Sequence, residues 1–324
     1  MTKTAGSTAD ADFFKAKATI ELASEDDTQL VALSFGMSIF SNTILSAQGE
    51  GLLAIYDRFL ELCPRERLTH YSTENMTRHK KVTKATFNML PIWLQPNAPP
   101  RDFICIELKS GGSFDDAPRN NFYVFGTEPK YRNFTGDVAE VISMSIDADE
   151  ARQDSSKLLD LFVDACSSIK FRSGLAGFSV NCSRYEREEA QTHAWRTGMR
   201  FRAFDICRVI DDAIAVGKDG IKGIGWLTAL DTQTVESVGG IPKVRKTLAS
   251  EVEIIKVPNG IILKAGPEPL LGDRNRRELL PTYKQIYGLI LPFVSRAAKR
   301  SPSFNIETDY VARTEQWFNR LSDD

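Results

Sequence analysis

FICIELKSGGSFDDAPRNNFYVFGT, Phe103 to Thr127, is the stretch that decides the fold class. Two runs rich in β-branched and aromatic residues, FICIEL and FYVFGT, flank a segment of Gly, Asp, Pro and Asn, the residue types that turn a chain. A third such run, VAEVISMSI (Val138 to Ile146), follows. Three consecutive strand candidates with turn residues between them are most simply antiparallel neighbours.

Outward from this centre, helical and extended patterns mix. Lys17 to Leu22 alternates, SEDDTQ turns, and Leu30 to Phe40 alternates again, which predicts a strand pair. In LLAIYDRFLELCP, Leu52, Ile55, Phe59 and Leu62 recur at three- and four-residue spacing, so a helix ends just before Pro64. A second helical segment is expected within Lys80 to Leu94, ended or kinked by Pro91. Asp149 or Asp154 can cap a helix carrying Leu158, Leu159, Phe162, Val163 and Cys166. Gly174 to Cys182 reads as a strand, Tyr185 to Trp195 as a charged helix, and Phe204 to Val216 as mixed. GIKGIGWLTAL leads into a strand over Gly225 to Leu230. Val252 to Val257 and Gly260 to Ala265, joined by Pro258-Asn259, form a hairpin, and helices over Thr282 to Lys299 and Asp309 to Leu321 close the chain. The expected class is α+β: mixed, largely antiparallel sheets with packed helices in one compact body. Residues 1–12, small and polar, are expected to be poorly ordered. Residues 13–324 form the body, with two intimate halves at about 13–148 and 149–324 as an option.

Composition narrows the function. With 41 Lys+Arg against 43 Asp+Glu, the chain lacks the basic excess of a nucleic-acid binder, so direct DNA binding is disfavoured. The longest apolar runs, such as Gly288 to Val294, fall short of the roughly 20 residues that span a bilayer. MTKTAGSTADADFF has no apolar core of a secretory signal, so a cytoplasmic location is expected. Cys63, Cys105, Cys166, Cys182 and Cys207 are widely spaced and odd in number, which predicts reduced, mostly buried thiols.

Catalytic patterns are weak. His70, His79 and His193 make no metal spacing; His70 reads as a strand or surface residue and His193 as part of a solvated helix face. GFSVN (Gly177 to Asn181) lacks the closing Gly of a nucleophile elbow. The glycines Gly220, Gly223 and Gly225 precede a strand, where a dinucleotide site needs them to follow one. No cofactor or metal is expected. IELKSG, Glu107 to Gly111, matches half of a metal-dependent nuclease signature, in which carboxylates hold Mg²⁺ and Lys stabilises charge. Alternation places Glu107 and Lys109 on one sheet face, and a solvated polar face explains the pair more simply. The acidic pairs Asp115-Asp116 and Asp211-Asp212 have two readings: turn residues and helix caps, or a carboxylate patch that enters a basic cleft on a partner.

AGPEPLLGDRNRRELLPTYKQI resembles the C-terminal signature of bacterial type VI secretion immunity proteins, the TsiV-like family. Gly266, Pro267, Pro269, Gly272, Asp273, Asn275, Pro281 and Tyr283 occupy the motif positions. A second matching segment, GIKGIGWLTALD, contributes Gly225 and Trp226 ahead of a Val238-Gly239-Gly240 turn. The resemblance implies a non-enzymatic, antitoxin-like protein. It would bind a co-encoded nuclease effector, of the VRR-nuclease or a related restriction-endonuclease-like type, and cover its active site. Two alternatives stay open: a metal-dependent enzyme using Glu107 and Lys109, and a non-inhibitory adaptor of the secretion system. Prolines and glycines in the motif make it an architectural corner, with the partner surface elsewhere. Charge and aromatic clustering make Asp115, Asp116, Arg119, Tyr123, Trp195, Asp211 and Asp212 the candidate partner-binding residues, with Trp317 a further anchor.

Overall fold

The computed structural model describes residues 6–99, 101–127, 138–185, 187–301, 304 and 309–322. The first part carries helix α1 (Gly6–Ile20), strands β1 (Leu22–Ala23) and β2 (Gln29–Ser41), and helix α2 (Gly49–Leu62). Strands β3 (His70–Thr73) and β4 (Lys80–Lys81), helix α3 (Met89–Trp93), and strands β5 (Phe103–Lys109), β6 (Asn121–Thr127) and β7 (Glu140–Asp147) follow. After these come helices α4 (Ala148–Gln153) and α5 (Ser155–Ser168), strand β8 (Ser173–Cys182), helix α6 (Arg187–Arg200), strand β9 (Asp205–Ile206) and helix α7 (Val209–Val216). The last part holds β10 (Leu227–Asp231), α8 (Thr232–Ser237), α9 (Gly240–Thr247), the hairpin β11 (Glu253–Val257) and β12 (Gly260–Lys264), α10 (Pro281–Arg300) and α11 (Tyr310–Asn319).

The described strands form one sheet, ordered β11-β12-β10-β8-β2-β7-β6-β5-β3-β4, with β1 beside β2 and β9 beside β8. Every pair is antiparallel except β8–β9. The fold is therefore α+β, as the strand-turn-strand pattern predicts. Strands β2 and β8 pair over ten residues at the centre, from Val31 opposite Cys182 to Phe40 opposite Ser173.

The two sheet faces differ in chemistry, because side chains alternate along each strand. One face presents Leu33, Phe35, Met37, Met144, Phe122 and Ile106 to the main core, where helices cover them. Tyr56 and Phe59 of α2 pack on Phe122 at ring separations of 5.0 and 5.3 Å. The opposite face has a small apolar cluster where α7 lays Ala213 and Val216 on Phe40, Val141 and Leu175. Beyond that cluster, towards β3, it is polar.

Several local expectations change. Lys17 to Leu22 is mostly the end of α1 rather than a strand. Phe13, Ala16 and Ile20, spaced by three and four, make a helical stripe; Ile20 is fully buried and Phe13 packs on Phe178 at 5.5 Å. This helix starts at Gly6, earlier than the polar composition suggests; residues 1–5 lie outside the described residues. Pro91 does not end α3, because it sits in the first turn, where its missing N–H would have had no partner in the helix. Asp154 caps α5, its carboxylate accepting from the Ser156 N–H, while Asp147 rather than Asp149 caps α4. The turn at Gly239-Gly240 has positive φ at both residues, as its glycines allow, and joins α8 to α9, two short helices the sequence reading does not resolve. GFSVN lies in the middle of β8 and makes no elbow.

Candidate functional site

Strand register assembles a polar floor from residues far apart in sequence. One cross-strand row runs Lys81, His70, Lys109, Asn121, Ser145. The next runs Ser72, Glu107, Tyr123, Ser143, Ser38. Part of this floor opens into a cleft of about 370 Å³ lined by residues that include His79, Glu107, Lys109, Asn121, Tyr123, Arg184, Cys207, Arg208 and Asp211.

Glu107 and Lys109 do share a face, but that face is buried rather than solvated: they are 5% and 3% exposed. A buried carboxylate needs partners, and Glu107 has them. Its Oε2 accepts from His79 Nε2 at 2.8 Å and from the Ser72 hydroxyl at 3.5 Å, and lies 3.0 Å from the Arg184 guanidinium. Burial alone would raise its pKa; Arg184, the His79 hydrogen bond and Lys109 outweigh that and hold it at about 2. Glu107 is thus ionised at neutral pH and its Oε2 is committed to cationic and hydrogen-bonding neighbours. Burial lowers the Lys109 pKa, opposed by Glu107 and Asp116, and its ammonium donates to the Asp116 carbonyl at 2.6 Å. His70 is likewise buried, and burial first, then Lys109, depresses its pKa.

The rim is aromatic and cationic. Arg184, with a side chain 48% exposed, reaches over Tyr123 at 5.5 Å from the ring centroid. Tyr185 packs edge-on against Phe114 at 5.1 Å, and Arg78 lies over Phe114 at 5.8 Å. Burial pushes the Tyr123 phenol well above its usual range and the Cys207 thiol up to about 11. Both stay protonated at neutral pH, so Cys207 is not a ready nucleophile. Among the described residues, no group of three or more His, Cys, Asp and Glu side chains is arranged to hold a metal ion.

The residues singled out from sequence are only partly brought together. Tyr123 and Asp211 line the cleft. Asp115 accepts from Ser113 near its edge, whereas Asp116 accepts from the Gln29 and Ser113 N–H groups at 3.0 and 2.9 Å and ties this loop to the start of β2. Arg119 pairs with Glu21, donating to it at 2.9 Å through its second amino group. Asp212 is 3% exposed and shares Lys222 with Asp205, each carboxylate 2.6 Å from the ammonium. The Ile206 carbonyl accepts the third Lys222 donor at 2.9 Å. Trp195 of α6 is half-buried and absent from the cleft lining, its indole N–H donating to the Arg313 carbonyl at 3.1 Å. Trp317 is buried beneath Arg320, whose guanidinium lies 3.7 Å from its ring centroid. His193 caps α1, donating to the Ile20 carbonyl at 3.0 Å. No local pattern in the sequence distinguishes Arg184, Asn121, Arg78 and Lys222 from other polar residues.

The glycine- and proline-rich motif forms a rigid corner against the turn after α6. Trp226 is buried and its indole N–H donates to the Gly266 carbonyl at 2.9 Å. Gly225 passes so near β8 that a Cβ there would sit 2.4 Å from the Ala176 carbonyl oxygen. Gly272 has φ +72°, which a side chain resists. Pro267 and Pro269 stiffen the segment before it, and Tyr283 accepts from the Leu270 N–H at 3.3 Å. Asp273 accepts from the Asn275 N–H at 2.9 Å and takes both arms of Arg200 at 2.9 and 2.8 Å. The Arg200 hydrogen bonds hold its carboxyl below the usual range.

Comparison with known proteins bears on this arrangement. A family model described as type VI immunity for VRR-NUC, TsiV, matches residues 52–321. The chain belongs to the TsiV family. The match takes in both the cleft and the corner. Among solved structures, the Pseudomonas aeruginosa T6SS protein PA0821 superposes with a TM-score of 0.79 at 20% identity, over 97% of this chain and 90% of that one. At that identity the likeness establishes the shared fold. No curated protein matches the sequence. Among the described residues, no helix is long and apolar enough to cross a membrane.

Proposed function

We propose that this TsiV-family chain is an immunity protein. It binds a co-encoded VRR-nuclease effector of the type VI secretion system, blocks its active site, and protects the producing cell in the cytoplasm, where the chromosome lies. Membership of the family over residues 52–321 carries this reading. The site supports it. Oε2 of Glu107 is taken by His79 and Arg184, and a non-catalytic binding role asks for no more. A metal-dependent reaction at Glu107 and Lys109 has less support. That carboxylate oxygen is already committed to protein donors, and Lys109 donates to a backbone carbonyl. In this reading the chain binds a protein and contacts neither nucleic acid nor membrane.

The test is co-expression of this chain with the neighbouring VRR-nuclease in a sensitive strain, then co-purification and a DNA-cleavage assay. Survival, a stable complex and suppressed cleavage are expected. A complex that forms but still cleaves DNA would replace immunity with an adaptor role. An active nuclease that neither binds nor is restrained would remove both.

A further inference from the structure

We propose that the polar cleft on the β5–β6 face is the docking site for the effector, and that it takes a carboxylate: an Asp or Glu side chain projecting from that protein. This rests on the immunity reading and adds to it the surface and its chemistry.

The donors are in place. An ammonium has three N–H groups, and Lys109 spends one on the Asp116 carbonyl, with no other hydrogen-bond partner among the described residues. Directly across the strand pair, Asn121 is 5% exposed, its Oδ1 is buried without a partner, and its amide makes no hydrogen bond to a described residue. The N–H donors of this amide are left for a ligand in the cleft that Asn121 lines, whereas the buried Oδ1 is an acceptor and takes no part in holding a carboxylate. A partner's carboxylate can accept from both the amide and the ammonium.

The charge balance favours an anion. The lining carries Lys109, Arg184 and Arg208 against Glu107 and Asp211, one net positive charge. Lys81, two strands from Lys109 in the same row, and Arg78 at Phe114 add exposed positive charge near the mouth. Conversely, two of the four acidic candidates for entering a partner are engaged at home: Asp116 by backbone N–H groups and Asp212 by Lys222.

The rim has the residue types that anchor interfaces. Arg184, Tyr185 (37% exposed) and Ile210 (37% exposed) surround the opening. A nucleic-acid phosphate is a poorer fit. Glu188 and Glu189 stand exposed in the first turn of α6, just after Arg184, and repel an extended polyanion.

The experiment measures binding of the purified nuclease to wild-type protein and to Asn121→Ala, Arg184→Glu, Tyr185→Ala and Lys246→Glu, each first checked for an unchanged fold by circular dichroism. Lys246, exposed on α9 and outside the cleft lining, is the charge-reversal control. Expected are about tenfold weaker binding for Asn121→Ala and Tyr185→Ala, about a hundredfold for Arg184→Glu, and no change for Lys246→Glu. An Asp→Lys or Glu→Lys change on the nuclease should restore affinity for Arg184→Glu. Should wild type bind the nuclease while folded Asn121→Ala and Tyr185→Ala bind within twofold of it, the cleft is not the docking site, and the immunity reading stands. Should wild type fail to bind the nuclease at all, both fall. Binding of a 20-base-pair duplex that Arg184→Glu abolishes, with nuclease binding intact, would reassign the cleft to nucleic acid.

Discussion

Replacing Glu107 by Gln should make the stability of this protein less dependent on acid, by an amount the geometry sets. The carboxylate moves from its ordinary 4.5 to about 2 on folding. A depressed pKa contributes stability that is complete above the unfolded value and is lost as pH falls through the folded one. The window is therefore about pH 4.5 to 2. Converted at 1.36 kcal/mol per tenfold, the full contribution is about 3 kcal/mol at pH 7 and about 1.4 kcal/mol at pH 3. Arg184, the strongest of the groups that lower it, is half exposed, and solvent screening reduces the pH 7 figure to about 2 kcal/mol. Gln keeps the shape and can still accept from His79, so the loss reports the charge rather than a cavity. Urea unfolding of wild type and Glu107→Gln at pH 7, 5, 4 and 3 reads the gap directly. It should shrink by at least half between pH 7 and pH 3. A gap that stays constant across that range, or that is absent at pH 7, would show that Glu107 is not held as an ion by Arg184 and His79.

Two further changes test the frame around the site. Lys222→Met leaves Asp205 and Asp212 facing each other without their shared cation, and should cost about 3–5 kcal/mol in urea unfolding. A loss below about 1 kcal/mol would mean that Lys222 is not what offsets the two carboxylates. Gly225→Ala forces a Cβ to 2.4 Å from a backbone oxygen of β8 that cannot swing aside, whereas Gly223→Ala meets nothing within 4 Å. The first should destabilise by about 2 kcal/mol or more and the second by far less, so equal midpoints would refute the close approach.

Much of the scaffold is written locally. Alternation in Leu30 to Phe40 and in FICIEL, FYVFGT and VAEVISMSI yields β2, β5, β6 and β7 because a sheet with one apolar face demands a period of two. The three-and-four spacing of Leu52, Ile55 and Phe59 yields α2 in the same way. Pro258-Asn259 makes the β11–β12 hairpin, and the glycines and prolines of the corner follow from the backbone angles and close approaches they permit. Where the local signal is ambiguous it misleads: Lys17 to Leu22 alternates, yet the pairing of Phe13, Ala16 and Ile20 with the core makes it helix.

The cleft belongs to the other category. Glu107 meets His79, Arg184 and Ser72 only because β3, β5 and the loop after β8 converge on one face of the sheet. In sequence, a polar residue at every second position reads the same whether its face meets water or a second layer. The register of neighbouring strands and the loops folded over them decide between the two, and with that decision go the burial of Glu107 and Lys109, the depressed carboxylate, and the bare amide of Asn121. Alternation along a strand fixes which side chains share a face, while only the packing of distant segments fixes what that face encounters.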